Sequence, residues 1–304
     1  MASIPLSEQV ILITGASTGI GAALARTLAT NYRGVRLAIA ARHQDQLEQV
    51  AADCRQAGAD VLAIPTDIGE TEQAKALAYK AVAHFDRVDA VINNAGYGQM
   101  GPIEMVPTDA AKRQFAVNFH GPLALTQALI PVMRDRGGGR IINVSSLGGR
   151  MAFPAGGLYS ASKFALEALT DVLRMELKAF NIHAIVVEPG PVKTKFFEVA
   201  NRQAERTMPH PEKTPYQAVF EKIAGIEQQT EKLGWEPAKV AQVIVRALTD
   251  RHPRPRYVAA TGGRMLLFLM TKVLPTWVTD RFWKRFYGID RVEKDWQSAK
   301  GQRS

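Results

Sequence analysis

The chain has 304 residues, 46% of them hydrophobic and 22% charged, and a formal net charge of +9. This length suits one large α/β domain or two small ones, and the composition is that of an ordinary globular protein. No amino-terminal signal peptide is recognisable, and no apolar run reaches the roughly 18 residues that span a bilayer. We therefore expect a cytoplasmic protein.

The single cysteine and the distribution of charge exclude other classes. Cys54 has no second cysteine to pair with, and its polar helical surroundings predict a surface or half-buried thiol. Residues 251–304 hold 12 Lys or Arg and 4 Asp or Glu, a net charge of +8, whereas residues 1–250 hold 26 and 25, a net charge of +1. Neither zinc-finger spacing nor a nucleic-acid-binding signature accompanies the basic end. We expect no metal site and no nucleic-acid partner.

Apolar runs of strand length alternate with amphipathic runs of helical period along most of the chain. This alternation is typical of a parallel sheet covered by helices on both faces. The predicted strands are 9–13, 35–41, 60–65, 88–93, 140–144, 183–187 and 256–259. The predicted helices are 22–30, 45–57, 70–85, 159–179 and 237–249. The predicted fold is α/β, a doubly wound parallel sheet flanked by helices, with a carboxy-terminal helical extension.

Glycines occupy the turn between the first strand and the first helix. Gly15, Gly19 and Gly21 follow strand 9–13 and precede helix 22–30. Glycines let the backbone approach a pyrophosphate closely, and a helix amino terminus presents N–H groups and the positive end of its dipole to that group. The turn therefore predicts a dinucleotide site.

The end of the second strand indicates which dinucleotide is bound. An NAD site usually places Asp or Glu there to hold the ribose 2′-hydroxyl, but this strand ends at Ala41 and Arg42 follows it. A carboxylate would repel a 2′-phosphate, whereas a guanidinium can pair with it through two hydrogen bonds. We predict NADP(H) as the cofactor. The alternative is an arginine on a solvated loop.

A tyrosine and a lysine carry the predicted chemistry. Tyr159 and Lys163 are four residues apart, so they share one face of a helix. A neighbouring ammonium favours the phenolate, so we expect the pKa of Tyr159 to fall from about 10 and the residue to act as a general acid and base. Ser146, at the end of strand 140–144, is placed to meet the same substrate oxygen. The alternative is a Tyr-Lys pair on an exposed helix face.

These motifs together resemble the short-chain dehydrogenase/reductase family, whose order and spacing they follow over about residues 8–195. The residues that carry the resemblance are Thr14-Gly-Ala-Ser-Thr-Gly-Ile-Gly21, Asn93-Asn94-Ala95-Gly96, Asn118, Ser146, Tyr159, Lys163 and Pro189-Gly190. The aromatic tail and the segment before it are most similar to those of hydroxysteroid- and retinol-type dehydrogenases. The resemblance implies a Rossmann-type fold and reversible hydride transfer between NADP(H) and a carbonyl/alcohol pair. It also favours a small lipophilic substrate and a homo-oligomer.

The resemblance assigns catalytic roles to four residues. Tyr159 would donate the proton to the substrate oxygen, and Lys163 would lower the pKa of the tyrosine and bind the nicotinamide ribose. Ser146 would hydrogen-bond the developing alkoxide, and Asn118 would hold a relay water; a plain surface residue is the alternative for Asn118. The complete set argues against the runner-up function, a non-catalytic NADPH-binding protein that regulates a partner, because a pure binder does not need it.

The resemblance also implies the cofactor contacts. Asp67 would accept a hydrogen bond from the adenine amine, Ile68 would pack against the ring, and Thr194 would bond the carboxamide. The full set of residues expected at the cofactor is Gly15, Ser17, Thr18, Gly19, Ile20, Gly21, Arg42, Asp67, Ile68, Asn94, Ala95, Gly96, Tyr159, Lys163, Pro189, Gly190, Val192 and Thr194.

We predict one Rossmann-type NADP-binding catalytic domain over residues 1–260, with a substrate lid at about 191–235, and a basic, aromatic-rich extension over 261–304. The residues predicted to share one helical face of the extension are Val278, Phe282, Phe286 and Ile289. Two placements stay open. The extension either packs on the core or on a second subunit, or lies at a membrane surface, which would make the protein peripheral there.

Overall fold

Seven strands form one parallel sheet at the centre of the computed structural model, which describes residues 4–208 and 210–301. The strands are β1 (Val10–Thr14), β2 (Arg36–Ala41), β3 (Asp60–Pro65), β4 (Ala90–Asn93), β5 (Gly139–Val144), β6 (Ile182–Pro189) and β7 (Arg256–Ala259). Their order across the sheet is β3-β2-β1-β4-β5-β6-β7. Successive strands are therefore added on one side of β1 up to β3 and on the other side from β4 onward, and the gap between β1 and β4 is the place where open α/β sheets bind ligands. The predicted fold class is confirmed.

Helices cover both faces of the sheet. They are α1 (Gly19–Asn31), α2 (Gln44–Gln56), α3 (Thr71–Phe85), α4 (Thr108–Phe115), α5 (Gly121–Asp135), α6 (Gly157–Glu176), α7 (Phe196–Thr207), α8 (Gln217–Leu233), α9 (Pro237–Thr249), α10 (Gly263–Phe268), α11 (Thr276–Tyr287) and α12 (Ile289–Gly301). One core cluster joins the sheet to α1, α2 and α9, and a second joins its other face to α3, α5 and α6. All five residues of β1 are buried because both faces of this strand meet helices.

The only cysteine is fully buried, so the predicted surface or half-buried thiol is wrong. Cys54 is 0% exposed and packs in the same core cluster as Leu47 and Val50. These residues lie at helical spacing on the face of α2 that meets the sheet, and the polar residues around them occupy the opposite face. Burial raises the pKa of the Cys54 thiol to about 11, which makes it an unreactive core residue.

Buried amides hold together the strand ends that surround the dinucleotide site. Asn93 Nδ2 donates to Asn143 Oδ1 at 2.7 Å, and Asn143 Nδ2 donates to Thr170 Oγ1 at 2.7 Å. Asn94 Nδ2 donates to the carbonyl of Thr14 at 2.9 Å. Since these bonds link β1, β4, β5 and α6, the asparagines fix the spacing of the elements that carry the site.

The segment between β6 and α9 leaves the sheet and returns to its starting point. The N–H of Trp235 donates to the carbonyl of Pro191 at 3.0 Å, and the N–H of Lys193 donates to the carbonyl of Trp235 at 2.9 Å. Helices α7 and α8 lie between these two closing bonds. Residues 191–235 therefore form an insertion outside the sheet whose two ends are hydrogen-bonded to each other, and we call it the 191–235 segment.

The residues predicted to share one helical face of the extension do so on α11, except for Ile289. Tyr287 is 8% exposed, and its ring stacks on Phe153 at 5.5 Å between ring centres. Phe282 and Phe286 are 47% and 40% exposed. Ile289 does not share their face, because Gly288 (φ +76°) ends α11 and α12 begins after it. The predicted face therefore holds for Val278, Phe282 and Phe286 and is wrong for Ile289.

None of the helices within residues 4–208 and 210–301 is long and apolar enough to cross a bilayer.

Candidate active site

A cleft of about 510 Å³ lies at the carboxyl ends of the central strands. The predicted cofactor residues that line it are Gly15, Ser17, Thr18, Gly19, Ile20, Arg42, Asp67, Ile68, Asn94, Ala95, Gly96 and Thr194. They come from the ends of β1, β2, β3 and β4 and from the loop after β6. The switch point of the sheet thus brings together residues that lie up to 179 positions apart in the sequence.

Gly15 keeps the floor of this cleft open, and Gly21 allows close packing behind it. Gly15 has φ +67°, and a Cβ on it would lie 2.8 Å from the Cα of Ala95. A Cβ on Gly21 would lie 2.6 Å from Nδ2 of Asn94, so Gly21 lies behind the cleft and permits α1 to approach β4. A cleft floored by glycine backbone at the amino end of α1 fits a dinucleotide whose pyrophosphate faces those N–H groups.

Arg42 and Asp67 lie at the end of the cleft formed by β2 and β3. Arg42 is exposed and makes no hydrogen bond or ion pair to another described residue. Asp67 is already bound on both oxygens, because Arg113 pairs with Oδ2 and the N–H of Gly69 donates to Oδ1 at 2.9 Å. The guanidinium of Arg42 therefore has unused hydrogen-bonding capacity for an anion at this end of the cleft.

A second cavity, of about 420 Å³, is lined by three of the four predicted catalytic residues, Ser146, Tyr159 and Lys163, but not by Asn118. The predicted site residues that line it are Ile20, Asn94, Gly96, Ser146, Tyr159, Lys163, Pro189, Gly190, Val192 and Thr194. Ile20, Asn94, Gly96 and Thr194 also line the cleft, so the two spaces meet there. A dinucleotide lying along the cleft would therefore bring its far end to the catalytic residues.

Tyr159 and Lys163 lie in the first two turns of α6 and are 8% and 5% exposed, so the exposed-face alternative is wrong. Burial raises the pKa of Tyr159 to about 12, while a contact with the Ser146 hydroxyl lowers it. Nζ of Lys163 lies 6.0 Å from the phenol ring centre and donates instead to the carbonyl of Val144 at 2.8 Å. The predicted fall in the tyrosine pKa is wrong for this arrangement, because desolvation outweighs a lysine directed elsewhere. Tyr159 holds its proton at neutral pH, as an acid must.

Lys163 is also affected by its burial. Desolvation lowers the pKa of the Lys163 ammonium to about 8, and the charge of Glu167 works in the opposite direction. A group with this pKa changes its charge just above neutral pH.

Asn118 is 0% exposed, so the surface alternative is wrong. It lies in a π-helical turn between α4 and α5. Its Nδ2 donates to the carbonyl of Tyr97 and to Oγ of Ser162, both at 3.0 Å, and its Oδ1 accepts from the Tyr97 N–H at 3.2 Å. With both amide protons engaged, only acceptor groups of Asn118 are left for a water. A Cβ on Gly96 would lie 3.2 Å from Asn118 Oδ1 and 3.4 Å from Lys163 Nζ, so the two side chains are neighbours.

Ser146 follows β5 and turns its hydroxyl toward the cavity. Its Oγ accepts the N–H of Gly148 at 3.0 Å, which fixes the side chain and leaves the hydroxyl proton to donate. Its contact with the Tyr159 phenol brings two O–H donors to one point of the cavity wall.

Most of the cavity wall was not predicted. Most of the additional lining residues are apolar or aromatic, and the larger ones are Met100, Met151, Phe153, Phe196, Phe197, Ile223, Ile226, Leu266, Phe282, Trp283, Phe286 and Tyr287. They come from loops, from the 191–235 segment and from α10 and α11. Amphipathic periodicity marks apolar faces on these helices, but it does not say what the faces meet.

The 191–235 segment also contributes charged groups to the cofactor cleft. Lys195, Glu198 and Arg202 line it from the start of α7, and Arg202 pairs with Glu198 at 2.5 Å. No motif marks these three residues in the sequence.

A family model for short chain dehydrogenases matches residues 9–205 of the chain. The chain belongs to the short-chain dehydrogenase family of oxidoreductases.

Known relatives agree with this assignment. Human 17-beta-hydroxysteroid dehydrogenase type 1 is 33% identical over 279 residues, covering 88% of this chain and 82% of the relative. A Burkholderia phymatum short-chain dehydrogenase solved in complex with NAD has a TM-score of 0.77 and 25% identity, with coverage of 88% and 94%. A metagenomic short-chain oxidoreductase solved with NADP has a TM-score of 0.66 and 28% identity, with coverage of 84% and 98%. Similar folds thus bind either dinucleotide, and the choice depends on this chain's own residues.

Proposed function

We propose that the protein interconverts a carbonyl and an alcohol on a lipophilic substrate, with NADP(H) as the cofactor. One observation carries the proposal: Tyr159 and Ser146 face a largely apolar cavity that opens into the dinucleotide cleft. The apolar wall favours the substrate class, and the two hydroxyls favour an oxygen atom as the reacting group.

The side chains divide the chemistry between them. Ser146 donates a hydrogen bond to the substrate oxygen, which becomes more basic as the carbonyl is reduced. Tyr159, which keeps its proton at neutral pH, transfers that proton to the same oxygen as a general acid, and takes it back in the oxidative direction. The hydride would come from, or go to, a nicotinamide held in the cleft. Lys163 orients the nicotinamide ribose, and its ammonium favours the phenolate left after proton transfer.

The preference for NADP(H) rests on Arg42. Its guanidinium is exposed at the cleft with no hydrogen-bond partner among the described residues, and no acidic residue ends β2. A 2′-phosphate would give Arg42 a partner, whereas a ribose 2′-hydroxyl would find no carboxylate there. The roles given above to Asp67, Ile68 and Thr194 stay predictions.

We infer that the catalytic domain extends over residues 1–260, that the 191–235 segment is the substrate lid, and that 261–304 is an extension that completes the cavity. The backbone bonds that close the segment on itself support the lid limits, and the four aromatic residues of α11 in the cavity wall support the role of the extension. The expected cytoplasmic location stays a prediction.

The test of this function is NADPH oxidation with a series of aldehydes and ketones of increasing apolar size, up to steroid and retinoid carbonyls. Each methylene that the cavity buries contributes about 0.8 kcal/mol, or roughly fourfold in kcat/KM. We expect kcat/KM to rise along the series until the cavity is full. The highest kcat/KM with a small polar carbonyl such as glyceraldehyde would contradict the substrate class.

We also propose that the extension binds an anionic membrane surface. Large apolar side chains of α10, α11 and the turn between them are exposed: Met265, Leu266, Phe268, Leu269, Val273, Leu274, Trp277, Phe282 and Phe286. Basic residues lie among them: Arg264, Lys272, Arg281, Lys284 and Arg285. Leu266, Phe282 and Phe286 line the cavity as well, so the cavity opens within this apolar surface. A lipophilic substrate dissolved in the bilayer would then reach the site directly.

Co-sedimentation with vesicles containing phosphatidylserine tests the membrane proposal. Each basic residue near such a surface adds about 1 kcal/mol, so binding should weaken as salt rises. We expect Phe268→Ser with Trp277→Ser to lose most of the binding, because these residues are 57% and 69% exposed and lie outside the cavity. Tyr79→Ser on α3, 62% exposed, is the matched control. No binding at low salt, or equal binding by the double variant, would overturn the proposal.

Self-association is supported by a second apolar surface. Phe164, Val172 and Met175 lie on one side of α6 and are 43%, 44% and 62% exposed. We propose that a second copy of the chain covers this side of the helix, which gives a homo-oligomer.

A further inference from the structure

A buried cluster of charged groups lies directly behind Lys163. Glu167, one helical turn after Lys163, is 4% exposed, and Glu188 on β6 is 0% exposed. Arg256 on β7 joins them, since its Nε lies 3.1 Å from Glu167 Oε2 and 3.4 Å from Glu188 Oε1. The assigned catalytic groups do not account for two carboxyls buried this deeply, because burying a charge is costly.

Gly149 allows this cluster to touch the catalytic side chains. A Cβ on Gly149 would lie 2.5 Å from Oγ of Ser145, 3.2 Å from Cγ of Glu167 and 3.2 Å from Cβ of Lys163. These three side chains therefore converge on one point. Positions four apart on a helix are also neighbours, with Cβ atoms about 5–6 Å apart.

Glu167 is only partly neutralised. Its Oε2 accepts from Arg256, whereas its Oε1, like Oε2 of Glu188, is buried with no hydrogen bond of normal geometry to a described residue, and the nearby Ser145 hydroxyl lowers the Glu167 pKa only in part against burial. Arg256 is shared, because its Nη2 also binds Asp171 at 2.5 Å. Glu188 pairs with a second cation, because Nη1 of Arg150 lies 3.0 Å from Glu188 Oε1. Besides Arg256, the cation near Glu167 is the Lys163 ammonium, one helical turn away.

We propose that Glu167 is a positioning residue that keeps Lys163 charged during catalysis, so that the buried carboxylate behind the lysine sets the pH range in which the lysine can act. The inference rests on the proposed function, in which the Lys163 ammonium holds the nicotinamide ribose and favours the tyrosine phenolate. The groups that face Glu167 are Lys163 and Asp171 on α6, Glu188 on β6, Arg256 on β7 and Ser145 after β5.

The sign of the effect follows from two pKa values. Burial, with Glu188 beside it, raises the pKa of Glu167 to about 7, and burial lowers the pKa of Lys163 to about 8. Below pH 7 Glu167 is mostly neutral, and Lys163 is protonated without its help. Above pH 7 Glu167 is ionised, and its charge opposes loss of the lysine proton. A variant without the carboxylate should therefore differ from the wild type only on the alkaline side.

The experiment measures NADPH affinity by fluorescence, and kcat/KM with the best carbonyl, from pH 6 to 9.5 for the wild type and Glu167→Gln. Glutamine keeps an oxygen that can accept from Arg256, and Glu167→Met is the second variant should the amide prevent folding. We expect both quantities to match the wild type at pH 6 and to fall about three- to tenfold at pH 8.5, because each unit of pKa is tenfold in proton affinity. Asp171→Asn is the control: it removes a carboxylate that also binds Arg256 but lies a further turn away from Lys163 and is half-exposed.

A loss of NADPH affinity and kcat/KM that is equal at every pH would assign Glu167 a purely structural role and overturn the proposal. A folded variant whose NADPH affinity and kcat/KM at pH 8.5 equal those of the wild type would overturn it as well. If the wild type turns over no carbonyl, the proposed function fails, while the pH dependence of NADPH affinity still decides the role of Glu167.

Discussion

Replacing Tyr159 by phenylalanine is expected to lower kcat/KM for carbonyl reduction by about 10²–10⁴-fold, the usual contribution of a general acid. The substitution removes one hydroxyl from a buried ring whose edge meets Phe196 at 5.4 Å between ring centres, so the wall of the cavity stays filled. NADPH affinity should stay close to that of the wild type, because the phenol proton acts on the substrate oxygen. Steady-state kinetics and a fluorescence titration of NADPH measure the two quantities separately.

Tyr257→Phe is the matched control. The Tyr257 hydroxyl is a structural group that donates to Asp250 at 2.6 Å, away from the cavity. Its loss should reduce the free energy of unfolding by about 1 kcal/mol and leave the activity of the folded protein unchanged. Near-full activity of Tyr159→Phe on the best substrate would show that another group supplies the proton.

Replacing Arg42 by alanine is expected to weaken NADPH binding by one to two orders of magnitude and to leave NADH binding nearly unchanged. A charge-assisted hydrogen bond contributes about 1.5–3 kcal/mol, and about 1.4 kcal/mol corresponds to a factor of ten. Because Arg42 has no hydrogen bond or ion pair within the described chain, its removal should not disturb the fold. Dissociation constants of both dinucleotides, measured at one ionic strength, give the result directly.

Arg26→Ala is the control for the cofactor experiment. Arg26 also lies on the surface, on α1, but its guanidinium pairs with Asp53 at 2.8 Å and lies outside the cleft. Its loss should affect neither dinucleotide. An equal weakening of NADPH and NADH by Arg42→Ala would assign Arg42 a structural role and leave the preference for NADP(H) without support.

The fold and the floor of the site could be predicted because local chemistry dictates them. A buried apolar strand such as β1 followed by glycines, here at 15 and 21, and a helix is the usual arrangement where a parallel sheet binds a dinucleotide, so this order indicates where the cleft lies. Helical spacing likewise placed Tyr159 and Lys163 on one face of α6.

The electrostatics of the same residues could not be predicted from spacing. Tyr159 and Lys163 are neighbours on the helix, but the ammonium binds the carbonyl of Val144, and burial shifts the two pKa values in opposite directions. Desolvation depends on what covers a side chain, and here that includes Phe196 and Ala200 of α7, which are remote in sequence from Tyr159. The same reason applies to Cys54, whose polar neighbours in sequence gave no sign of its burial.

The substrate cavity was the least predictable part. Its wall combines loops after β4 and β5 with helices from the 191–235 segment and the extension. A periodic pattern on α11 indicates an apolar face, but a left-handed glycine at position 288 decides where that helix ends and hence which side chains turn inward.

The most direct test of the proposed activity follows an isotope. The protein is incubated with NADPH that carries deuterium at the transferable position of the nicotinamide, together with the best ketone of the series, and the product is analysed by mass spectrometry. The account predicts an alcohol with one deuterium on the carbinol carbon, formed by the wild type and strongly reduced in Tyr159→Phe. Tight NADPH binding with no deuterium in any product across the series would contradict it and favour a non-catalytic NADPH-binding protein that regulates a partner.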